Sequence, residues 1–135
     1  MRKYERLYEF IPFFETVLID EAVRWGSGGQ DTKGTITLAY PTYHQRVIEF
    51  NKVIHEEGLL EPDYLNIIQS YGIETIEELD RAIDGFDHKL SIAILTYYVR
   101  QERFSDGLWA NAIENKIFLR LLKRLFELEN KGELQ

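Results

Sequence analysis

His88-Lys89-Leu90-Ser91-Ile92-Ala93-Ile94-Leu95-Thr96-Tyr97-Tyr98-Val99-Arg100-Gln101-Glu102-Arg103-Phe104 places apolar side chains on nearly every side of a helical wheel. A helix that is greasy all round has no face to give to water, so this segment is predicted to be the buried centre of a helical domain. Asp87, just before it, has the short carboxylate that can take up a free amide of the first turn. Thr96, Arg100 and Arg103 fall within about 60° of one another on the wheel and make a narrow polar stripe. Two guanidiniums in such a setting need oxygens facing them, because a buried charge is costly unless it is paired and hydrogen-bonded.

On the N-terminal side, Leu7, Phe10, Ile11, Phe14, Val17 and Leu18 recur at helical spacing, with Pro12 bending or restarting the helix. Gly26-Ser27-Gly28-Gly29-Gln30-Asp31 reads as a loop, and the alternation from Thr35 to Tyr40 as a strand. Ala22 to Trp25 is its expected hairpin partner. Such a hairpin needs helices to lie on. Thr42 and Gln45 have capping-box spacing ahead of a helix carrying Tyr43, Val47, Phe50 and Ile54, which Gly58 closes. A short helix runs from Pro62 to Tyr71 with Gly72 as terminator. Thr75 and Glu78 open another, ending at Asp84-Gly85. The stretch from Asp106 to Asn130 fits one long helix or two, with Glu114-Asn115 as the break, since asparagine tolerates the left-handed conformation.

The 135 residues, 44% of them hydrophobic, suit a single domain over 1–135. With 16 basic against 23 acidic residues the net charge is -7, which disfavours nucleic acid and anionic lipid as partners. Cysteine is absent, excluding disulfides and thiol chemistry. Neither a secretory signal nor a membrane span is legible, so a soluble cytoplasmic protein is expected.

Val99-Arg100-Gln101-Glu102-Arg103-Phe104-Ser105-Asp106-Gly107, with Ile117, Leu122, Arg124 and Leu125 beyond it, resembles a bacterial family of unknown function, catalogued as domain of unknown function sixty-five-oh-eight. Phe10-Ile11-Pro12, Tyr40-Pro41-Thr42-Tyr43 and the run Tyr64 to Ile68 before Gly72-Ile73 extend the resemblance over most of the chain. Where the family often has cysteine this chain has Ser105, and where it often has glycine, Asn115. The first departure removes any thiol role. The resemblance implies a small, mainly helical domain with no established activity, so no catalytic residue is carried over.

The residues themselves offer one candidate site, an anion pocket in which Arg100 and Arg103 clamp a carboxylate or phosphate beside Tyr43, Tyr97 and His44. The competing reading pairs both arginines internally with carboxylates such as Glu15, Asp20, Glu21 or Asp63, a common arrangement in structural ion networks. His44 and His55 would lie about 16 Å apart along one helix, too far to share a metal ion. His55-Glu56-Glu57-Gly58 lacks the second histidine of a zinc-protease helix. His88 reads as solvated, and Lys116, Arg120, Lys123 and Arg124 as a solvated outer face. The loop through Lys33-Gly34 inverts the glycine–lysine order of a phosphate-binding loop, and a Gly-x-Ser-x-Gly elbow is missing. No cofactor or metal is therefore expected. The sequence points first to a non-catalytic binding or regulatory module acting through protein contacts, a homodimer among them, second to a small-ligand protein or enzyme that uses the arginine pair to hold an anion, and least to nucleic-acid binding.

Overall fold

The computed structural model describes residues 2–25, 29–30, 36–37, 41–102 and 107–134. From the N-terminus the chain forms α1 (Glu5–Tyr8), α2 (Ile11–Thr16) and α3 (Ile19–Ala22), then strands β1 (Val23–Trp25), β2 (Gly29–Gln30), β3 (Ile36–Thr37) and β4 (Pro41–Tyr43). Helices α4 (Gln45–Glu56), α5 (Tyr64–Ser70), α6 (Ile76–Ala82), α7 (His88–Gln101), α8 (Leu108–Glu114) and α9 (Ile117–Asn130) complete it, with a 3-10 turn at Ile83–Gly85. The fold is mainly α with a small antiparallel hairpin.

The apolar wheel of α7 has the consequence expected of it. Leu90, Ala93, Ile94, Leu95, Tyr98 and Val99 are all buried, and α5, α8 and α9 pack around them. Asp87 caps the helix, its Oδ1 accepting from Leu90 N at 2.8 Å. From α9, Leu121, Leu122 and Leu125 enter the same core without remaining exposure. Phe14, Phe50, Tyr98 and Phe118 meet at its centre as edge-on and tilted rings.

The hairpin departs from expectation. Val23 pairs with Tyr43, Arg24 with Thr42 and Trp25 with Pro41, while Gly29 and Gln30 pair with Thr37 and Ile36. In every pair the residue numbers add to the same total, so the two ladders are lengths of one antiparallel register. Alternating residues mark a strand but do not say which residue lies opposite, and β1 therefore takes Pro41–Tyr43 rather than the stretch Thr35–Tyr40. Residues 35 and 38–40 of that predicted strand, and most of the glycine loop, lie outside the described residues.

Two caps also differ. His44, not Thr42, is the N-cap of α4, its Nδ1 accepting from Arg46 N at 3.0 Å, because Thr42 is already committed to β4. Pro62 stands before α5, which begins at Tyr64 behind Asp63. The C-terminal stretch is two helices, and the residue that takes the left-handed conformation is Lys116 (φ 61) rather than Asn115. Asn115 Nδ2 instead donates to Asn111 O at 3.0 Å, closing α8.

Candidate functional site

Tyr64 of α5 meets Tyr97 of α7 ring to ring at 6.5 Å, which seats α5 on the central helix. Gly72 then takes φ +77, a left-handed turn that returns the chain so that Ile73 N donates to Ile68 O. Thr75 starts α6 by accepting from Glu78 N at 3.1 Å, and the Glu78 carboxylate accepts from Glu74 N at 2.9 Å. These two turns hold α5 and α6 slightly apart. Between them opens a groove of about 140 Å³ with Ile68, Ile73, Ile76 and Leu79 as walls and Ile94, Tyr97 and Tyr98 as floor.

The groove's surroundings are unusually apolar and acidic. Leu65 and Ile76 are 56% and 43% exposed, and Tyr71 is exposed as well, so this stretch holds three of the six exposed large hydrophobics among the described residues. Between Lys52 and Arg81 the chain has no lysine or arginine but eight carboxylates. Several of these are engaged elsewhere: Glu56 and Glu57 with Arg6, Asp80 with Arg120. Glu74 at the groove mouth and Glu77 on α6 have no cation within ion-pair distance among the described residues. In the floor, the Tyr98 hydroxyl is buried without a hydrogen-bond partner among the described residues, and burial, with Tyr97 beside it, pushes it up to about 12.

Of the five residues of the predicted anion pocket, the four that are described, Arg100, Tyr43, Tyr97 and His44, do not converge on this groove or on one another. Tyr97 lines it. Tyr43 hydrogen-bonds Glu102 and packs at 5.2 Å on Trp109, on the hairpin side of α7. His44 is exposed, capping α4 with its ring against Phe13. Arg103 lies outside the described residues. Arg100 is half-buried in the last turn of α7, and its Nε is sequestered without a hydrogen bond among the described residues. Two of the acids expected to pair with it are otherwise placed: Glu15 holds Lys123 at 3.3 Å and Asp63 accepts from Asn66 at 2.7 Å. One turn earlier on the stripe, Thr96 is satisfied by Glu61 N and Ile92 O. Arg100→Met therefore strands no carboxylate among the described residues, and chemical denaturation should show a change below about 1 kcal/mol rather than the 3 to 5 kcal/mol expected when a buried ion pair is broken.

Three features escaped the sequence. Glu102 takes hydrogen bonds from Tyr43 OH, from Gly107 N at 2.9 Å and from Trp109 N at 2.8 Å. The basic face of α9 is solvated only in part: Lys116 and Lys123 are exposed, while Arg120 and Arg124 serve as internal bracing. Arg120 reaches Asp80 and Asp84, Arg124 Nε donates to Phe86 O at 2.7 Å, and Lys123 meets Glu15. Its helical spacing was visible, but the acids on α6 and the 3-10 turn were distant in sequence.

His88 is likewise not solvated: it is 8% exposed, with Nε2 2.6 Å from Tyr4 OH. Burial, reinforced by the charge of Lys3 and partly opposed by Asp87, holds its imidazole below the ordinary value of 6.5. A proton then binds the unfolded chain more readily than the folded one. Stability is accordingly full above about pH 6.5 and declines as the pH falls from there toward the lower folded-state value. Melting curves between pH 7.5 and about 5.5 should show that decline, and His88→Phe should flatten it in this window.

The fold and the groove together define a small helical module with an open apolar slot on one side and a closed core behind it. The chain belongs to a family described as "Family of unknown function (DUF6508)", whose model matches residues 1–131. No curated protein and no solved structure matches it significantly. Among the described residues, no helix is long and apolar enough to cross a membrane, and no cluster of three or more histidines and carboxylates could hold a metal ion.

Proposed function

We propose that this protein is a non-catalytic binding module of the cytoplasm that acts through contacts with another protein, and that the groove between α5 and α6 receives a basic amphipathic segment of that partner. The observation that carries the reading is an apolar slot bordered by carboxylates in a stretch without a single lysine or arginine. An apolar anchor from a partner helix would fill the slot while lysines or arginines at its flanks approach Glu74 and Glu77, the helix-in-groove mode of recognition. A second copy of the chain is the less favoured occupant, because it would bring the same acids to the interface. Nucleic acid has the least support, since the cations of α9 are engaged with Asp80, Asp84, Glu15 and Glu127.

A synthetic peptide with leucines at i, i+3, i+4 and i+7 and lysines on both flanks tests the reading by fluorescence anisotropy. It should bind, lose affinity as salt rises, and bind at least about tenfold more weakly to Ile76→Glu, a change of about 1.4 kcal/mol. The same peptide with glutamates in place of its lysines should not bind. Equal binding of both peptides would contradict the reading.

The arginine-pair anion pocket remains a second reading on one observation, the Nε of Arg100 without a hydrogen-bond partner among the described residues. Its signature is a rise in melting temperature with inorganic phosphate that Arg100→Met abolishes.

A further inference from the structure

The floor of the groove between α5 and α6 holds a polar group for which a purely apolar anchor has no use. Tyr98 is 0% exposed, and its hydroxyl has no hydrogen-bond partner among the described residues. Tyr97 stands edge-on to it at 5.4 Å and is only partly buried. Side chains on a helix lean toward its N-terminus, so the Tyr98 ring lies over the turn that carries Ile94, the third residue of the floor, with the hydroxyl at its far end. Burial keeps that hydroxyl protonated at neutral pH, able both to donate and to accept.

The rest of the lining is mostly hydrocarbon, from Ile68, Ile73, Ile76, Leu79 and Ile94. Thr75 is already committed to Glu78 N, and Glu74 stands at the mouth. The volume of about 140 Å³ is close to the roughly 150 Å³ of an apolar cavity that takes up a benzene ring. The groove thus has room for one six-membered ring and a single unused hydrogen-bonding group beneath it.

We propose that the partner segment anchors here with a tyrosine, its ring filling the apolar space and its hydroxyl hydrogen-bonding the hydroxyl of Tyr98. The inference rests on the groove reading above and adds the identity of the anchor. The Tyr98 hydroxyl is out of water before any partner arrives, so its desolvation does not oppose binding. A phenol that reaches it gains a hydrogen bond that leucine or phenylalanine cannot make. An aromatic body with a polar tip is also the kind of side chain that dominates interfaces of this sort.

Fluorescence anisotropy with the lysine-flanked peptide, each leucine replaced in turn by tyrosine and by phenylalanine, tests the anchor. At one position the tyrosine peptide should bind the wild-type protein at least about fivefold more tightly than its phenylalanine twin. Tyr98→Phe should bring the two within about twofold of each other, the signature of a direct coupling. That variant loses only an unpaired hydroxyl and should melt no lower than the wild type. Ile76→Glu should weaken both peptides alike. Equal binding of the twins at every position overturns the anchor and leaves the groove standing, as does a tyrosine advantage that survives Tyr98→Phe. Failure of every peptide to bind, the all-leucine one included, overturns the groove and the anchor together.

Discussion

Replacing Glu102 with alanine is expected to lower the unfolding free energy by about 2 to 4 kcal/mol, since hydrogen bonds to a charged acceptor contribute roughly 1.5 to 3 kcal/mol each and are not additive. The carboxylate takes Gly107 N with one oxygen, and Trp109 N and Tyr43 OH with the other. It therefore caps α8 from outside the helix, where Gly107, with φ +93, has no side chain to do so. A larger residue at 107 is not an alternative, because a Cβ there would lie 2.8 Å from the Trp25 ring. The same carboxylate ties β4 to the end of α7 through Tyr43, and Trp109 Nε1 donates to Tyr98 O at 2.7 Å beside it. Glu102→Gln keeps one acceptor oxygen and should cost about half as much. Equilibrium urea unfolding reads both variants, and a loss below about 0.5 kcal/mol for alanine would show that the clamp is not formed.

Phe118→Ala should cost about 3 to 5 kcal/mol and lower the melting temperature by roughly 10 to 20 °C. Phe118 is 1% exposed and touches Phe14, Phe50 and Tyr98 at ring separations of 5.8, 5.2 and 5.9 Å. It lies beside Val47, Asn51, Val99 and Trp109 with no water-sized space among them, so removing the ring opens a cavity that the surrounding helices must collapse to fill. Calorimetry measures the shift. A drop under about 5 °C would place Phe118 outside the core.

Local chemistry made much of this fold readable. The wheel of α7, the Asp87 and Thr75 caps and the left-handed Gly58 and Gly72 each depend on residues within a turn of one another, and each has the predicted role. What stayed hidden depends on residues far apart in sequence. Tyr4 and His88 are separated by 84 positions, and nothing near either one announces the other. The strand partner of β1 was misplaced because alternation is the same in every register. The left-handed turn fell on Lys116, not Asn115, because packing of Ile117 and Phe118 sets where α9 must begin. The arginine stripe was visible as a pattern, but whether a carboxylate faces Arg100 is a question of tertiary position.

The binding groove combines both kinds of information. Its walls come from apolar residues that a helical reading assigns to cores, and Ile76 and Leu65 nevertheless stand at the surface. The absence of cations between Lys52 and Arg81 acquires meaning once that stretch is seen to frame a slot.

Isoleucine methyl NMR during titration with the lysine-flanked peptide tests the groove most directly. The account predicts that Ile68, Ile73, Ile76 and Ile94 shift together while Ile11, Ile48 and Ile92 stay in place. Shifts centred on the latter three, with the groove methyls unmoved, would contradict it.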